Sequence, residues 1–403
     1  MKRKAYGKPS ILFYWHDMWL PHSRYVVDAI HEWCDVGEVT VCGPVKRRGA
    51  ASIFTVANAG DAVGREGKGE VRTKSYWWME TTCTFRDWRR LIRERRPDIL
   101  VICDEALSLN VLIAGVANRL YGKGVVLFYG FENLIQRPDW GALVVKRDLP
   151  TLRKVLRKLI KATVIDKFLM PVRKRVVHGG LVSYAECSDT VRAYGWNPPM
   201  AIQWWPVNER AFNSQGERAD FGLDATFVVG FVGRFIAEKG ILDLLRAIAS
   251  LGQHIGIVLI GDGPQKAEIE REILRLGIAE RCRMLPPQNA RALAASYRSI
   301  NLLVLPSRST RNWKEQYGRV LVEARMCGAR TAGSGGSAIP VVVGDPEMIF
   351  PAGDVAAIAD VIRRAEQLSA KPLPEFQAPT IAEFLSAWLK LASQCVESTR
   401  DIR

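Results

Sequence analysis

Short, nearly continuous apolar runs alternate with stretches of helical spacing along most of this 403-residue chain. In the first half the apolar runs fall at 10–15, 39–42, 98–103, 125–129 and 179–183, with helical patterns at 24–33, 85–96 and 109–121. The second half starts again, with runs at 227–232, 256–260 and 301–305 and helical patterns at 241–251, 264–276, 289–298 and 318–326. Apolar runs without polar alternation predict parallel strands covered on both faces. Two such successions predict an α/β fold of two doubly wound domains, with a cleft where the carboxyl ends of the strands face. Trp204-Trp205-Pro206 interrupts the pattern and sets an N-terminal domain at 1–205 and a C-terminal domain at 206–378. The tail at 379–403 reads as a C-terminal helix able to pack back on the N-terminal domain.

Composition narrows the class. Hydrophobic residues make up 48% and charged residues 25%, which excludes wholesale disorder, collagen and coiled coil. No run approaches the ~18 apolar residues of a membrane-spanning helix, and Met1-Lys2-Arg3-Lys4 has no apolar core behind it. A chain that is neither secreted nor membrane-spanning is therefore expected, in the cytoplasm. The eight cysteines form no C-x-x-C pair, so buried reduced thiols are expected rather than a zinc or redox motif. The net charge of +15 is unevenly placed: residues 1–205 hold 33 Lys and Arg against 20 Asp and Glu, and residues 206–403 hold 24 against 22. Such asymmetry predicts a polyanionic surface facing the first half, whether membrane lipid, nucleic acid or an acidic substrate.

Three turns in the second half carry candidate chemistry. Gly233-Arg234-Phe235-Ile236-Ala237-Glu238-Lys239-Gly240 leaves a buried strand and enters a helix. Glycine lets a ligand approach the backbone, and Arg234 and Lys239 place two permanent cations where an open α/β sheet binds phosphate. The bland alternative is a solvated loop with two surface cations. Glu315-Gln316-Tyr317-Gly318-Arg319-Val320-Leu321-Val322-Glu323 follows the strand at 301–305. It places Glu315 before a helix that starts near Gly318 and Glu323 in that helix's second turn. Amides at Tyr317, Gly318 and Arg319 then face the cleft, where a helix N-terminus favours an anion. Two acids at this spacing also occur on ordinary surface faces. Gly261-Asp262-Gly263-Pro264 is a further strand-to-helix turn at the same edge. Asp-x-Asp is absent, which argues against a divalent-metal carboxylate clamp on a diphosphate, although other residues can bind metals.

Taken together, these residues resemble glycosyltransferase family 4. The matches are Gly233-Arg234 with Glu238-Lys239-Gly240, Gly261-Asp262-Gly263, Pro306-Ser307, the pair Glu315 and Glu323, Ala324, Cys327-Gly328, Gly333-Ser334, Ile339-Pro340 and Pro351-Ala352-Gly353-Asp354. They cover about residues 227–355, and the run 313–319 resembles a subgroup of bacterial surface-glycan synthesis. The resemblance implies a GT-B fold, two Rossmann-like doubly wound domains facing a central cleft, and a retaining enzyme that uses a nucleoside-diphosphate sugar without a bound metal or other cofactor. It implies that Arg234 and Lys239 hold the diphosphate, that Glu323 accepts ribose hydroxyls and that Glu315 lies against the transferred sugar. Gly233, Gly261, Leu285, Tyr317, Gly318 and Arg319 complete the implied nucleotide-sugar site. The acceptor is expected to be a glycan or lipid-linked molecule, with no nucleic acid. A nucleotide-sugar epimerase on the same fold, and a non-catalytic polyanion- or membrane-binding protein derived from a transferase, are the alternatives.

The chain departs from the family pattern at three places. Trp15-His16-Asp17-Met18 stands where a Gly-rich loop is common, Phe128-Tyr129-Gly130-Phe131-Glu132-Asn133 lacks the frequent histidine, and Ser337-Ala338 replaces a frequent Gly-Glu pair. His16, Glu105, Glu132 and Asn133 are the acceptor-side candidates by their positions at strand ends. Residues 146–175 hold 11 Lys and Arg against two acids, with Leu152, Leu156, Leu159 and Ile160 at helical spacing. A basic amphipathic helix of this kind either lies on an anionic membrane surface or packs its apolar stripe on the core with a solvated cationic face. The first alternative makes the chain peripheral on the inner face of the membrane.

Overall fold

A computed structural model describes residues 8–15, 24–31, 35–47, 50–58, 84–131, 168–310, 313–373, 376 and 378–400. The chain divides into two compact units, one of Met1–Trp205 with Ile381–Arg403 and one of Pro206–Thr380.

The first unit is built on β1 (Ile11–Trp15), α1 (Arg24–His31), β2 (Val39–Arg47), β3 (Ala50–Asn58), α2 (Phe85–Arg95), β4 (Ile99–Cys103), α3 (Leu109–Tyr121), β5 (Val125–Gly130), α4 (Met170–Val176), β6 (Gly179–Val182), α5 (Ala185–Ala193) and β7 (Met200–Ile202). Its sheet runs β3-β2-β1-β4-β5-β6-β7. All neighbours are parallel except β2 and β3, which form an antiparallel edge with a register shift between Val45 and Arg47. This hairpin is a correction to the expected all-parallel sheet. Gly43-Pro44 interrupts the apolar run of β2, and an edge strand has no need of the unbroken hydrophobic pattern that marks a central one. The central strands keep that pattern, and β1 and β4 are buried along their whole lengths.

Helix starts are set locally. Thr84 and Asp87 close a capping box at α2, with Thr84 Oγ1 donating to Asp87 Oδ2 at 2.5 Å and the Asp87 amide donating to Thr84 Oγ1 at 3.3 Å. Arg96, with φ of 44°, ends the same helix in a left-handed turn. Ser108 Oγ accepts the Val111 amide at 3.1 Å and caps α3.

The second unit comprises β8 (Phe227–Val232), α6 (Ile241–Ala249), β9 (Ile255–Ile260), α7 (Lys266–Arg275), β10 (Cys282–Leu285), α8 (Ala290–Ser299), β11 (Leu302–Leu305), α9 (Arg319–Met326), β12 (Arg330–Ser334), α10 (Ile339–Val343), β13 (Ile349–Phe350) and α11 (Val355–Gln367). Its sheet runs β10-β9-β8-β11-β12-β13, parallel throughout. The expected helices at 241–251, 264–276 and 289–298 are present with ends moved by one to two residues. The sequence pattern does not reveal β10, β12 or β13. Arg330-Thr331-Ala332-Gly333-Ser334 is polar in composition yet buried at every position, so hydropathy hides a central strand.

The last helix, α12 (Ile381–Arg400), returns to the first unit and packs on β5, β6 and β7. Trp388 is fully buried there, 6.2 Å from the Phe13 ring and 5.9 Å from Tyr129, and Phe384 lies 5.2 Å from Trp205. The six described cysteines are buried free thiols, and burial pushes the Cys187 and Cys282 thiols up to about 12. No helix among the described residues is long and apolar enough to cross a membrane.

Candidate functional site

The second unit gathers its candidate residues where β8, β9 and β11 end side by side. Val232 pairs with Ile260 across β8 and β9, and Leu303 with Gly230 across β11 and β8. The three following turns are then fastened to one another through their backbones. The Gly233 amide donates to Ile260 O at 3.0 Å, the Phe235 amide to Asp262 O at 2.8 Å and the Arg308 amide to Glu238 O at 2.7 Å. Such approach requires glycine at two points. A Cβ on Gly261, where φ is +154°, would stand 1.9 Å from Gly233 O, and one on Gly240, at φ +66°, would stand 2.1 Å from Pro306 O. Phe235, fully buried, pins the first turn to the core.

This framework brings Lys239 and Glu315 together across 76 residues of sequence. Lys239 Nζ donates to Glu315 Oε2 at 2.6 Å, and the side chains keep only 16% and 12% of their exposure. Ser307 Oγ donates to the same carboxylate oxygen at 3.0 Å, and the Lys239 ammonium lies 5.5 Å from the centre of the Trp313 ring. Ser307 is itself held, because Ser334 Oγ donates to its carbonyl at 2.5 Å. Arg308, the next residue, forms a two-pronged ion pair with Asp243 at 2.7 and 2.6 Å. Asp243 is nearly fully buried in the first turn of α6, so the pair ties the loop after β11 to the helix after Lys239. Glu315 stands three residues before Gly318, whose φ of 73° turns the chain into α9. The carboxylate that Lys239 reaches thus precedes the first turn of α9, whose free amides favour an anion.

Other candidates take different positions. Arg234 lies exposed on the same turn and forms no ion pair among the described residues. Gly233 and Gly261 serve the backbone lock, and Leu285 O accepts the Gly261 amide at 3.0 Å, which fastens the end of β10 to the same edge. Tyr317 is largely buried, at 7% exposure. Arg319 Nε pairs with Glu323 Oε1 at 3.0 Å, and Tyr297 OH donates to Glu323 Oε2 at 3.0 Å. Burial raises the Glu323 carboxyl above its ordinary range against the opposing charge of Arg319. The same burial, beside that carboxylate, pushes the Tyr297 phenol well up. Both Glu323 oxygens thus have a protein donor. Sequence patterns single out neither Tyr297, 26 residues from its partner, nor the Arg308–Asp243 pair, 65 residues apart.

In the first unit, Glu105 lies just past β4 and its Oε1 accepts the Phe131 amide at 3.2 Å, which joins the ends of β4 and β5. His16, Glu132 and Asn133 lie outside the described residues, as does most of the basic stretch at 146–175. Within its described end, Arg173 departs from the expected solvated cation. It is completely buried and donates to three successive carbonyls, Ala106 O at 2.7 Å, Leu107 O at 3.0 Å and Ser108 O at 3.0 Å. It thereby fixes the turn that carries Glu105. No three His, Cys, Asp or Glu side chains cluster as metal ligands among the described residues.

Two doubly wound sheets, the second with a cation and a carboxylate held at its carboxyl edge, make up a GT-B architecture. Residues 214–375 match the family model described as Glycosyl transferases group 1. It is 34% identical over 177 residues to a D-inositol 3-phosphate glycosyltransferase of Mycolicibacterium smegmatis, covering 41% of this chain and 39% of that protein. It is 30% identical over 159 residues to a 2-deoxystreptamine glucosyltransferase of Streptomyces kanamyceticus, covering 38% and 39%. The match thus spans about two fifths of the length of these curated relatives. In fold, the chain is similar to Alr3699/HepE of Anabaena, solved in complex with UDP-glucose, at a TM-score of 0.58 and 14% identity over 98% of this chain and 100% of that one.

Proposed function

We propose that the protein is a retaining glycosyltransferase that moves a hexose from a nucleoside-diphosphate sugar to a glycan or lipid-linked acceptor in surface-glycan synthesis. The observation that carries this reading is the half-buried Lys239–Glu315 pair, held against Ser307 beside the N-terminus of α9. The UDP-glucose bound by the structurally similar Anabaena protein supports a nucleotide-sugar donor, and the Glycosyl transferases group 1 match supports the reaction type.

In this mechanism the bond between the anomeric carbon and the β-phosphate oxygen breaks. The leaving diphosphate keeps the electron pair, and positive charge develops on the sugar ring. Lys239, Arg234 and the α9 amides stabilise the developing negative charge, an electrostatic role suited to a site of low water content. These permanent cations do so with no metal required. Glu315, three residues from Gly318, orients the sugar hydroxyls and tolerates an oxocarbenium-like charge. The acceptor oxygen attacks on the face the diphosphate leaves, and its proton passes to the departing phosphate oxygen, which preserves the anomeric configuration. Donor arrival replaces part of the Lys239–Glu315 contact with phosphate and sugar contacts.

Incubation of the full chain with UDP-, GDP- and ADP-hexoses, with and without bacterial lipid and glycan extracts, tests the proposal. Acceptor-dependent release of nucleoside diphosphate supports it. Conversion of the donor sugar without acceptor would instead identify an epimerase, and the absence of donor binding to any of the three would overturn the transferase reading.

A further inference from the structure

The first unit carries a second chemically defined surface, on the helices that cover one face of its sheet. Helix α2 turns Asp87, Trp88, Leu91 and Ile92 inward, so its outward face is Arg86, Arg89, Arg90 and Arg93. The first and last stand seven positions apart, about 11 Å along the helix. None of the four forms an ion pair among the described residues. Glu94 is the one exposed carboxylate of the helix, since Asp87 is buried in the cap. Arg89 and Arg93 each lie 5.2 Å from the centre of the Tyr121 ring at the end of α3, which carries the charge across to the neighbouring helix. Helix α3 in turn packs on α4, where Val176 fills the space over Gly115.

Neither α3 nor the segment 168–176 contains an acid, and both add exposed cations, Arg119, Lys174 and Arg175. Large apolar side chains stand among them in water: Leu120 at 63% exposure, Phe168 at 70%, and Phe85 and Val172 at 38%.

We propose that this face of α2, α3 and α4 docks on an anionic lipid bilayer. Arginines without acidic partners match the phosphates of acidic headgroups, and the interspersed Phe and Leu side chains match the acyl boundary beneath them. A nucleic acid would satisfy the cations alone and leave Leu120 and Phe168 against a charged backbone. Buried Arg173 takes no part, because its guanidinium is committed to the turn at 106–108. The proposal stands independently of the donor site, which lies in the other unit.

Co-sedimentation of the full chain with phosphatidylcholine vesicles, and with vesicles containing phosphatidylglycerol, tests it at low and high salt. The wild-type chain should pellet with the anionic vesicles and be released by salt. Arg86→Glu with Arg90→Glu should weaken binding at least about tenfold at low salt, with unchanged thermal unfolding, since neither side chain has a structural partner among the described residues. Leu120→Ser with Phe168→Ser should also weaken the low-salt binding, since the apolar side chains that reach the acyl boundary are lost. Equal pelleting with both vesicle types would overturn the proposal, as would wild-type affinity in the Arg86/Arg90 variant. Binding of a duplex DNA probe through the same arginines, with no vesicle binding, would assign the face to nucleic acid instead.

Discussion

The two units repeat one architecture, yet they stabilise their carboxyl edges by different means. In the second unit, turns a few residues long lock to each other backbone to backbone through Gly240 and Gly261, and a half-buried ion pair sits on top. In the first unit, the described edge depends on long-range side-chain packing. The chain's last helix brings Phe384 and Trp388 into a cluster with Phe13, Tyr129 and Trp205, and Arg173 reaches the turn at 106–108 from α4. A backbone lock dictates residue type at fixed local positions, whereas an aromatic cluster can be filled in many ways. This accounts for a family-model match confined to residues 214–375 and for a first unit without a familiar pattern.

The sharpest way to break the comparison is to remove the pair. Lys239→Met or Glu315→Gln should lower sugar transfer by about a hundredfold to a thousandfold, roughly 3–4 kcal/mol of transition-state stabilisation. Steady-state kinetics with the best donor measures this. Glu315→Gln leaves the largely buried Lys239 ammonium without its carboxylate, so the double variant should unfold at a higher temperature than Glu315→Gln alone. Next in size, Trp388→Ala should cost about 3–5 kcal/mol in the first unit while leaving donor affinity in the folded protein near wild type. Denaturant unfolding together with nucleotide titration separates the two effects. Gly261→Ala should do the reverse, costing about 1–3 kcal/mol and weakening donor binding, because the added methyl displaces Gly233 O.

Tyr297→Phe removes one donor from the buried Glu323 carboxylate and should cost about 1–3 kcal/mol by thermal unfolding. The smallest effect belongs to His178, whose Nδ1 accepts the Val126 amide at 3.0 Å. Burial, aided by the charge of Arg119, lowers its pKa below 6.5. The folded state therefore binds fewer protons than the unfolded chain just below that pH, and stability falls as pH drops from about 6.5 toward the lowered value. His178→Asn keeps an acceptor without a titrating proton, and its loss of stability between pH 7 and 5 should be smaller than that of the wild type.

The contrast between the units also governs what the sequence discloses. Strands β1, β4, β8 and β9 are legible because burial on both faces demands unbroken apolar runs. Strand β12 is not, because its Thr, Gly and Ser fit tight places where size matters more than hydropathy. Lys239 and Glu315 are legible because glycine-bounded turns place them at strand ends. Tyr297 with Glu323, and Arg308 with Asp243, stay hidden because each pair is completed by tertiary folding. Arg173 misleads outright: inside a basic stretch it reads as a solvated cation, and only the fold reveals a guanidinium that replaces water for three carbonyls.

The central claim is that Lys239, Glu315 and the amide end of α9 bind the diphosphate-sugar part of a donor. Calorimetric titration of the wild type and Lys239→Met with UDP, GDP and ADP and their hexose esters tests it most directly. The account predicts a preferred nucleotide sugar whose affinity falls at least about tenfold in the variant, the loss expected of a charge-assisted hydrogen bond, while the unfolding transition remains cooperative. Equal affinity in the two proteins would contradict it.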